Sequence, residues 1–433
     1  MSDGMNDEKQ ALVPRLRFPE FREAGEWKET TLGQCLSIRP EYGINAPSVP
    51  HAENLPTYLR ITDISEDGQI RQDQKVSVAK DVTDENYLEE GDIVLARTGA
   101  SVGKAYKYRA KDGRLVFAGF LIRVRADEQK LNPELLFQFL FTEQYWYWVA
   151  FSSARSGQPG INGNEYASLP LQLPRLDEQQ KIADCLSSLD VLITAQADKL
   201  DALKTHKKGL MQQLFPRDGE TVPRLRFPEF REAGEWEEKT IADLKPFVTS
   251  GSRGWAAFYA KNGSLFVRIT NLTRESIYLD LTDSKFVQLP REANEGVRTQ
   301  LKEGDVLISI TADIGIIGYV DVNILSPAYI NQHIALVRFD LPDVCSKYVS
   351  YLLASDRAQN LFRASTDTGT KAGMSLIMVQ KIKLVLPALP EQQKIADCLS
   401  SLDALITAQA DKLDALKTHK KGLMQQLFPS PEA

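Results

Sequence analysis

Cysteine is scarce: Cys35, Cys185, Cys345 and Cys398 are spread over 433 residues, and none forms a CxxC pair. Such spacing argues against a disulfide framework or a zinc site and for reduced thiols in a cytoplasmic protein. Histidine is as rare, with His51, His206, His333 and His419. No HExxH, P-loop or GxSxG motif occurs, and Asn132-Pro133 is followed by Glu134, not by the Pro-aromatic pair of an amino-methyltransferase pocket. The expectation is a chain without catalysis of its own. No apolar run reaches the ~18 residues a membrane helix needs, and Met1 to Gln10 is polar and charged, a frayed tail and not a secretory signal. Positive charge is not in excess either: the net charge is -6. A nucleic-acid partner therefore has to be judged from where the basic residues lie.

What the sequence does contain is a repeat. Val13 to Trp27 reads VPRLRFPEFREAGEW, and Val222 to Trp236 is the same fifteen residues. Glu178 to Pro216 and Glu391 to Pro429 agree at 38 of 39 positions, differing only at Val191 and Ala404. In the first block Ile182, Leu186, Leu189, Ile193, Gln196, Leu200, Leu203, Lys207, Leu210 and Leu214 keep a 4-3-4-3 spacing. That spacing specifies coiled-coil packing. Asp177 with Gln180 suggests a capping box at its start, and Pro216 and Pro429 end the helices. About 36 residues at 1.5 Å each make a rod of roughly 55 Å. The simplest partner for each helix is the other, folded back antiparallel, with Gln196, Lys207, Gln409 and Lys420 fixing register. Ala183, Leu192, Ala197 and Met211, repeated as Ala396, Leu405, Ala410 and Met424, widen the stripe beyond a two-stranded seam and suit helices from a partner. A purely internal two-helix coil is the alternative.

The order leader, globule, helix therefore occurs twice, a circle of two units cut at Ala433 and Met1. The expected fold is α+β: two mixed α+β globules separated by two long antiparallel coiled-coil helices, in a pseudo-twofold circular arrangement. The expected segments are 1–27 (tail and leader), 28–175 (globule one), 176–216 (helix one), 217–236 (linker and leader), 237–388 (globule two) and 389–433 (helix two and tail). Tyr58-Leu-Arg-Ile-Thr-Asp-Ile64 parallels Phe266-Val-Arg-Ile-Thr-Asn-Leu272, and Leu88-Glu-Glu-Gly-Asp-Ile-Val-Leu95 parallels Leu301-Lys-Glu-Gly-Asp-Val-Leu-Ile308. The cores match while the loops differ, as expected of one scaffold carrying two specificities.

Basic residues are concentrated between Arg97 and Arg125, eight against the single acid Asp112, with Tyr106 and Tyr108 interleaved. Lys245 to Arg274 carries five and no acid, around Ser250-Gly-Ser-Arg-Gly-Trp255. Such loops suit phosphate positioning and base-edge contacts, although a single charge run is more often a solvated face. The candidate DNA contacts are Arg97, Lys104, Lys107, Arg109, Arg155, Gln158, Asn162 and Asn164 in the first globule. In the second they are Ser252, Arg253, Trp255, Asn271, Asn331, Gln332, Thr370 and Lys371.

The tandem Glu-Gln-Gln-Lys-Ile-Ala blocks at 178 and 391, the RLRFPEF leaders, the GLMQQLFP helix ends, the Gly-Asp strand motifs and Ser250 to Trp255 resemble the specificity subunits of type I restriction-modification systems. The likeness covers nearly the whole chain. It implies a non-catalytic subunit in which each globule is a target-recognition domain reading one half of an interrupted, asymmetric DNA site. The helices would space the two and dock two modification (methyltransferase) subunits, and restriction (motor-nuclease) subunits would join that core. S-adenosylmethionine, ATP and Mg would be carried by those partners, with no metal or cofactor on this chain. A two-headed binder or a scaffold on a coiled coil that does not read DNA is the alternative. It would lack salt-dependent binding to random duplex.

Overall fold

A computed structural model describes residues 13–71, 74–154, 158–251, 253–289, 295–324, 326–366 and 373–429. The chain forms two compact units. The first comprises residues 1–196 and 412–433, the second residues 197–411. Each long helix therefore contributes one half to each unit.

In the first unit, β1 (Lys28–Thr31) pairs antiparallel with β10 (Pro170–Leu173) and closes the globule just before the long helix. A four-stranded sheet has the order β2 (Glu41–Tyr42), β9 (Leu121–Val124), β6 (Ile93–Ala96), β7 (Ala105–Lys107). A second has the order β3 (Ser48–Pro50), β5 (Val76–Val78), β4 (Thr57–Leu59), β8 (Leu115–Phe117). In it β4 and β8 run parallel, Tyr58 opposite Val116. Helices α1 (Pro133–Phe139), α2 (Glu143–Ser153) and α3 (Gly163–Ala167) precede α4 (Leu176–Leu214).

The second unit repeats this plan. Strand β11 (Glu237–Thr240) pairs with β20 (Lys383–Leu386). One sheet has the order β12 (Phe247–Ser250), β19 (Ile334–Arg338), β16 (Val306–Ser309), β17 (Ile317–Tyr319). The other has β13 (Tyr259–Ala260), β15 (Phe286–Val287), β14 (Ser264–Val267), β18 (Ala328–Ile330), again with one parallel pair. Helices α5 (Glu295–Thr299), α6 (Ser346–Ala354), α7 (Asp356–Thr366) and α8 (Leu376–Gln380) precede α9 (Leu389–Leu427).

The repeated sequence motifs are structural devices. Gly91 and Gly304 both take φ +87° at a turn that L side chains avoid. The aspartate that follows is buried and grips an arginine of the neighbouring strand. Asp92 accepts from Arg125 Nε and Nη2 at 2.7 and 3.0 Å, and Asp305 from Arg338 Nε and Nη2 at 2.6 and 2.7 Å. The paired Ile-Thr-Asp and Ile-Thr-Asn segments are short 3-10 turns whose Asp63 and Asn271 side chains accept from the backbone N–H of Arg60 and Arg268.

The helix halves pack antiparallel inside each unit. In the second unit Lys207 of α4 donates to Asp403 of α9 at 2.5 Å; in the first, Lys420 of α9 donates to Asp190 of α4 at 2.6 Å. These are equivalent residues with the helices exchanged. Of the four polar seam residues, Lys207 and Lys420 thus tie the two helices together through an aspartate beside the seam. Circular order is equally direct. Leu16 N–H donates to the Gln426 carbonyl at 3.0 Å, and Leu225 N–H to Gln213 at 2.9 Å, so each leader lies on the end of the helix that precedes it around the circle. Arg17 clamps Glu178 as Arg226 clamps Glu391.

Two expectations need correction. The helix begins at Leu176, so Asp177 lies inside its first turn and not at the cap. Gln180 accordingly donates forward to Asp184 at 2.7 Å. The wide apolar stripe is also largely used by the chain itself. Ala183 and Met424 are buried in the core with Leu135, Leu136 and Phe139 of α1, and Ala396 in the corresponding core with Tyr348 and Leu352 of α6; Met211 packs against that core from its edge. Ala197 and Ala410 are half-buried, and only Leu192 and Leu405 of the eight stand exposed. Each helix half needs cover on a second face, and its own globule supplies it.

Candidate nucleic-acid interface

In the first unit three turns meet at one end of the sheet carrying β6 and β9. Arg97 follows β6 directly; its N–H donates to the Phe120 carbonyl at 3.0 Å and its carbonyl accepts from Ile161 N–H at 2.9 Å. The 97–101 turn, the 118–121 turn and the segment 158–164 are thereby tied together. Gly99, at φ +73°, donates its N–H to the Pro159 carbonyl at 3.0 Å, and a Cβ there would lie 3.2 Å from Gln158 Nε2. Tyr42 completes the cluster: its hydroxyl accepts from Gly163 N–H at 3.0 Å, and the Arg97 guanidinium lies 4.8 Å over its ring.

Arg97, Gln158, Asn162 and Asn164 are thus brought together. Gln158 and Asn164 are exposed. Asn162 spends its side-chain oxygen capping α3 through Glu165 N–H at 2.9 Å. The Nη1 of Arg97 donates to the Gly119 carbonyl at 3.4 Å, while its buried Nε has no partner among the described residues. Its donors are incompletely used. The same rim carries two aromatics that sequence reasoning passed over, Phe120 at 60% exposure and Tyr42 at 50%. Phe120 lies in the run Leu-Val-Phe-Ala-Gly-Phe-Leu-Ile, where nothing marks which ring faces out.

The remaining basic residues of this stretch are placed otherwise. Lys104 ends the same hairpin turn but pairs with Glu66. Lys107 is largely buried and pairs with Glu134 of α1. Arg109 donates to Gln69 at 3.2 Å and lies over the Phe137 ring. Arg123 and Arg125 hold Glu41 and Asp92. Tyr106 and Tyr108 are core residues whose hydroxyls donate to Asp112 and to the Gly113 carbonyl. Burial pushes both hydroxyls above the usual tyrosine range, Tyr106 furthest. Much of the apparent basic patch is therefore internal ion pairing.

The second unit has the same framework with other side chains. Ile310 N–H donates to the His333 carbonyl at 2.9 Å, and Met374 N–H to the Ile310 carbonyl at 2.8 Å. Isoleucine stands where the first unit has Arg97, and His333 where it has Phe120. Gln332 and Asn331 lie in this turn; Gln332 Nε2 is 3.1 Å from His333 Nε2, whose Nδ1 faces the Thr311 hydroxyl. Asn331 is buried, its Oδ1 accepting from His333 N–H at 3.2 Å. Arg253 is exposed, beside the left-handed Gly254. Two candidates must be corrected: Trp255 is buried and stacks on Phe266 at 5.6 Å, and Asn271 is the buried cap described above. A bulky ring next to glycines and a polar residue in a strand-like run both resemble reading residues, yet each holds a turn. Arg155, Ser252, Thr370 and Lys371 lie outside the described residues. No group of three metal-binding side chains occurs among the described residues.

Residues 46–205 and 234–418 match the model of the type I restriction modification DNA specificity domain. The chain belongs to that family. The type I restriction enzyme MjaVIII specificity subunit of Methanocaldococcus jannaschii is 23% identical over 421 residues, covering 95% of this chain and 93% of that protein. Among solved structures, the type I restriction-modification S subunit from M. genitalium superposes with a TM-score of 0.63 at 15% identity, over 97% of this chain and all of that one. A chain from a study of complex assembly and conformational transition in the type I R-M system gives 0.53 at 17% identity, covering 93% and 98%. At these identities the structural likeness speaks for the fold alone.

Proposed function

We propose that this chain is the DNA-reading, non-catalytic subunit of a type I restriction-modification complex, with one half-site read by each globule. The observation that carries this is the pair of equivalent three-turn clusters, built on one backbone framework and furnished differently: Arg97, Phe120 and Gln158 in one, Thr311, Gln332 and His333 in the other, with the exposed Arg253 proposed as a further contact. An arginine can read guanine bidentately and a glutamine adenine. Turns locked by backbone hydrogen bonds hold such groups rigidly.

Lys104, Asn162 and Asn164 are proposed as phosphate and groove contacts at the first half-site, and Lys107 and Arg109 are left to the scaffold. Leu192 and Leu405, exposed at equivalent places, are proposed as docking points for two modification subunits. The long helices set the spacing between half-sites. Restriction subunits, S-adenosylmethionine, ATP and Mg belong to the rest of the assembly, which works in the cytoplasm. No described helix is long and apolar enough to cross a membrane.

The test replaces residues 28–175 with the corresponding globule of another family member and maps the methylated sites of the host genome. One half of the site is expected to change while the other half stays. A change in both halves, or in neither, refutes independent reading.

A further inference from the structure

The second unit holds a cavity of about 840 Å³ between the last turns of α4, the 273–276 segment, the first half of α7 and the middle of α9. That size lies within the range of roughly 300–1,000 Å³ typical of small-molecule sites. One wall is apolar, made by Met211, Ile316, Leu361 and Ile406. The remaining lining is cationic on balance, with seven basic side chains against four acidic ones. Three of those acids already face a cation or donor: Asp403 binds Lys207, Asp356 accepts from Gln212, and Asp218 faces Arg357. Among the bases, Arg274 is held by Asp313, and Arg357 by the carbonyls of Arg217 and Glu220. Lys204, Lys208 and Arg217 are exposed on the rim, with Arg363 beside them.

The cavity has an identifiable cause. Helices α1 and α2 of the first unit are the counterparts of α6 and α7, and there the positions of Ser350 and Ala354 are taken by Phe137 and Phe141. Those two rings pack edge to face at 5.0 Å, and a Cβ on Gly68 would touch both. In the second unit Ala354 lines the cavity where the first unit has the Phe141 ring, while Ser350 is buried outside its lining. Charge changes with it: Arg274, Arg357 and Arg363 stand where the first unit has Glu66, Gln144 and Ala150. An empty volume and a cationic rim have thus arisen together on one copy of a duplicated scaffold. Arg274 and Arg357 are also tied to their own surroundings, whereas Arg363 adds an exposed cation at the rim.

We propose that this cavity binds a small organic phosphate of nucleotide size. Its anionic end would sit at Lys204, Lys208, Arg217 and Arg363, and its organic body against the Met211, Leu361 and Ile406 wall. A duplex backbone offers phosphates on a convex surface and no apolar body to fill such a hollow. The site is separate from the three-turn cluster and does not depend on the DNA-reading proposal.

The experiment titrates the full chain with AMP, ATP, pyrophosphate and a short DNA duplex by calorimetry, and follows thermal unfolding with each. Saturable binding of AMP or ATP is expected, with the unfolding midpoint raised by about 2–4 °C. Ala354→Phe, which restores the ring the first unit carries, is expected to weaken binding at least about tenfold. Arg363→Glu and Lys208→Glu, on exposed side chains, give the same readout if the first variant does not fold. The proposal is overturned if neither nucleotide binds, or if all variants bind it like the parent. It is also overturned if pyrophosphate binds as tightly as ATP, or if only duplex binding responds to the substitutions.

Discussion

Removing the Lys207 ammonium should cost more than removing that of Lys420, although the two lysines occupy the same place in nearly identical helices. Lys207 and Asp403 have side chains 10% and 6% exposed, whereas Lys420 and Asp190 are 15% and 32% exposed. Breaking a buried pair by deleting one partner costs about 3–5 kcal/mol, because the remaining charge is stranded away from water. In Lys207→Met, Asp403 keeps the Tyr351 hydroxyl, which donates to it at 2.6 Å. Burial, and then the Asp403 charge, hold that hydroxyl far above the usual tyrosine range, so it remains a donor at any working pH. That remaining bond places the loss near the lower end, about 3 kcal/mol. In Lys420→Met water reaches Asp190 and the loss should be about 1 kcal/mol. Urea unfolding with unchanged m-values reads both numbers as midpoint shifts. Adding Asp403→Leu and Tyr351→Phe to Lys207→Met should return stability to within about 1 kcal/mol of the parent, because the triad is then apolar throughout. If Lys207→Met loses no more than Lys420→Met, burial is not what sets the strength of these pairs and the reasoning fails.

Gly43→Ala should loosen β2 from the 118–121 turn, because a Cβ there would overlap the carbonyl oxygens of Phe117 and Ala118. A loss of about 1–3 kcal/mol is expected, with affinity falling at one half-site only, measured on duplexes altered in one half at a time. Leu192→Asp and Leu405→Asp should each remove one copy of the modification subunit from the purified complex, read as mass, while the unfolding midpoint of the isolated chain stays put. Full assembly in the double variant would take docking away from these residues.

The architecture was legible because duplication writes it twice. Identical leaders and nearly identical helices showed the circular order, and parallel Arg-Ile-Thr and Glu-Gly-Asp segments showed a shared core. The site was legible only in part. Charge density along the chain does not show which basic residues are already paired, so Lys104, Lys107, Arg123 and Arg125 read as one basic patch. The carboxylate partners of the last three, Glu134, Glu41 and Asp92, lie between 27 and 82 residues away for the first two pairs, beyond any local window. Trp255 was misread for a related reason: Gly251 and Gly254 before it mark a turn, but whether the ring that follows packs or protrudes depends on Phe266 and Tyr329. The convergence of 97–101, 118–121 and 158–164 is set by backbone hydrogen bonds that carry no side-chain signature.

The interface between constant helices and variable globules shows how such a chain can exchange its reading parts. Constant residues clasp constant residues: Arg17 holds Glu178, Arg226 holds Glu391, and the lysines hold the helix aspartates. Where a globule must meet a helix, it brings its own donor. Asp190 receives Gln138 Nε2 at 2.8 Å, and the equivalent Asp403 receives the Tyr351 hydroxyl at 2.6 Å. An amide and a phenol thus answer the same carboxylate from corresponding positions on α1 and α6. One turn further on the roles reverse, and Gln425 donates to Glu143 as Gln212 does to Asp356. The helix surface therefore takes a donor at the first position and an acceptor at the second, beside the apolar core that α1 and α6 share with it. A transplanted globule meets both demands only if it travels with the helices that carry them. For that reason an exchange at 28–175 should fold, whereas one ending before Pro133 would pair a foreign sheet with resident helices and lose the core they share.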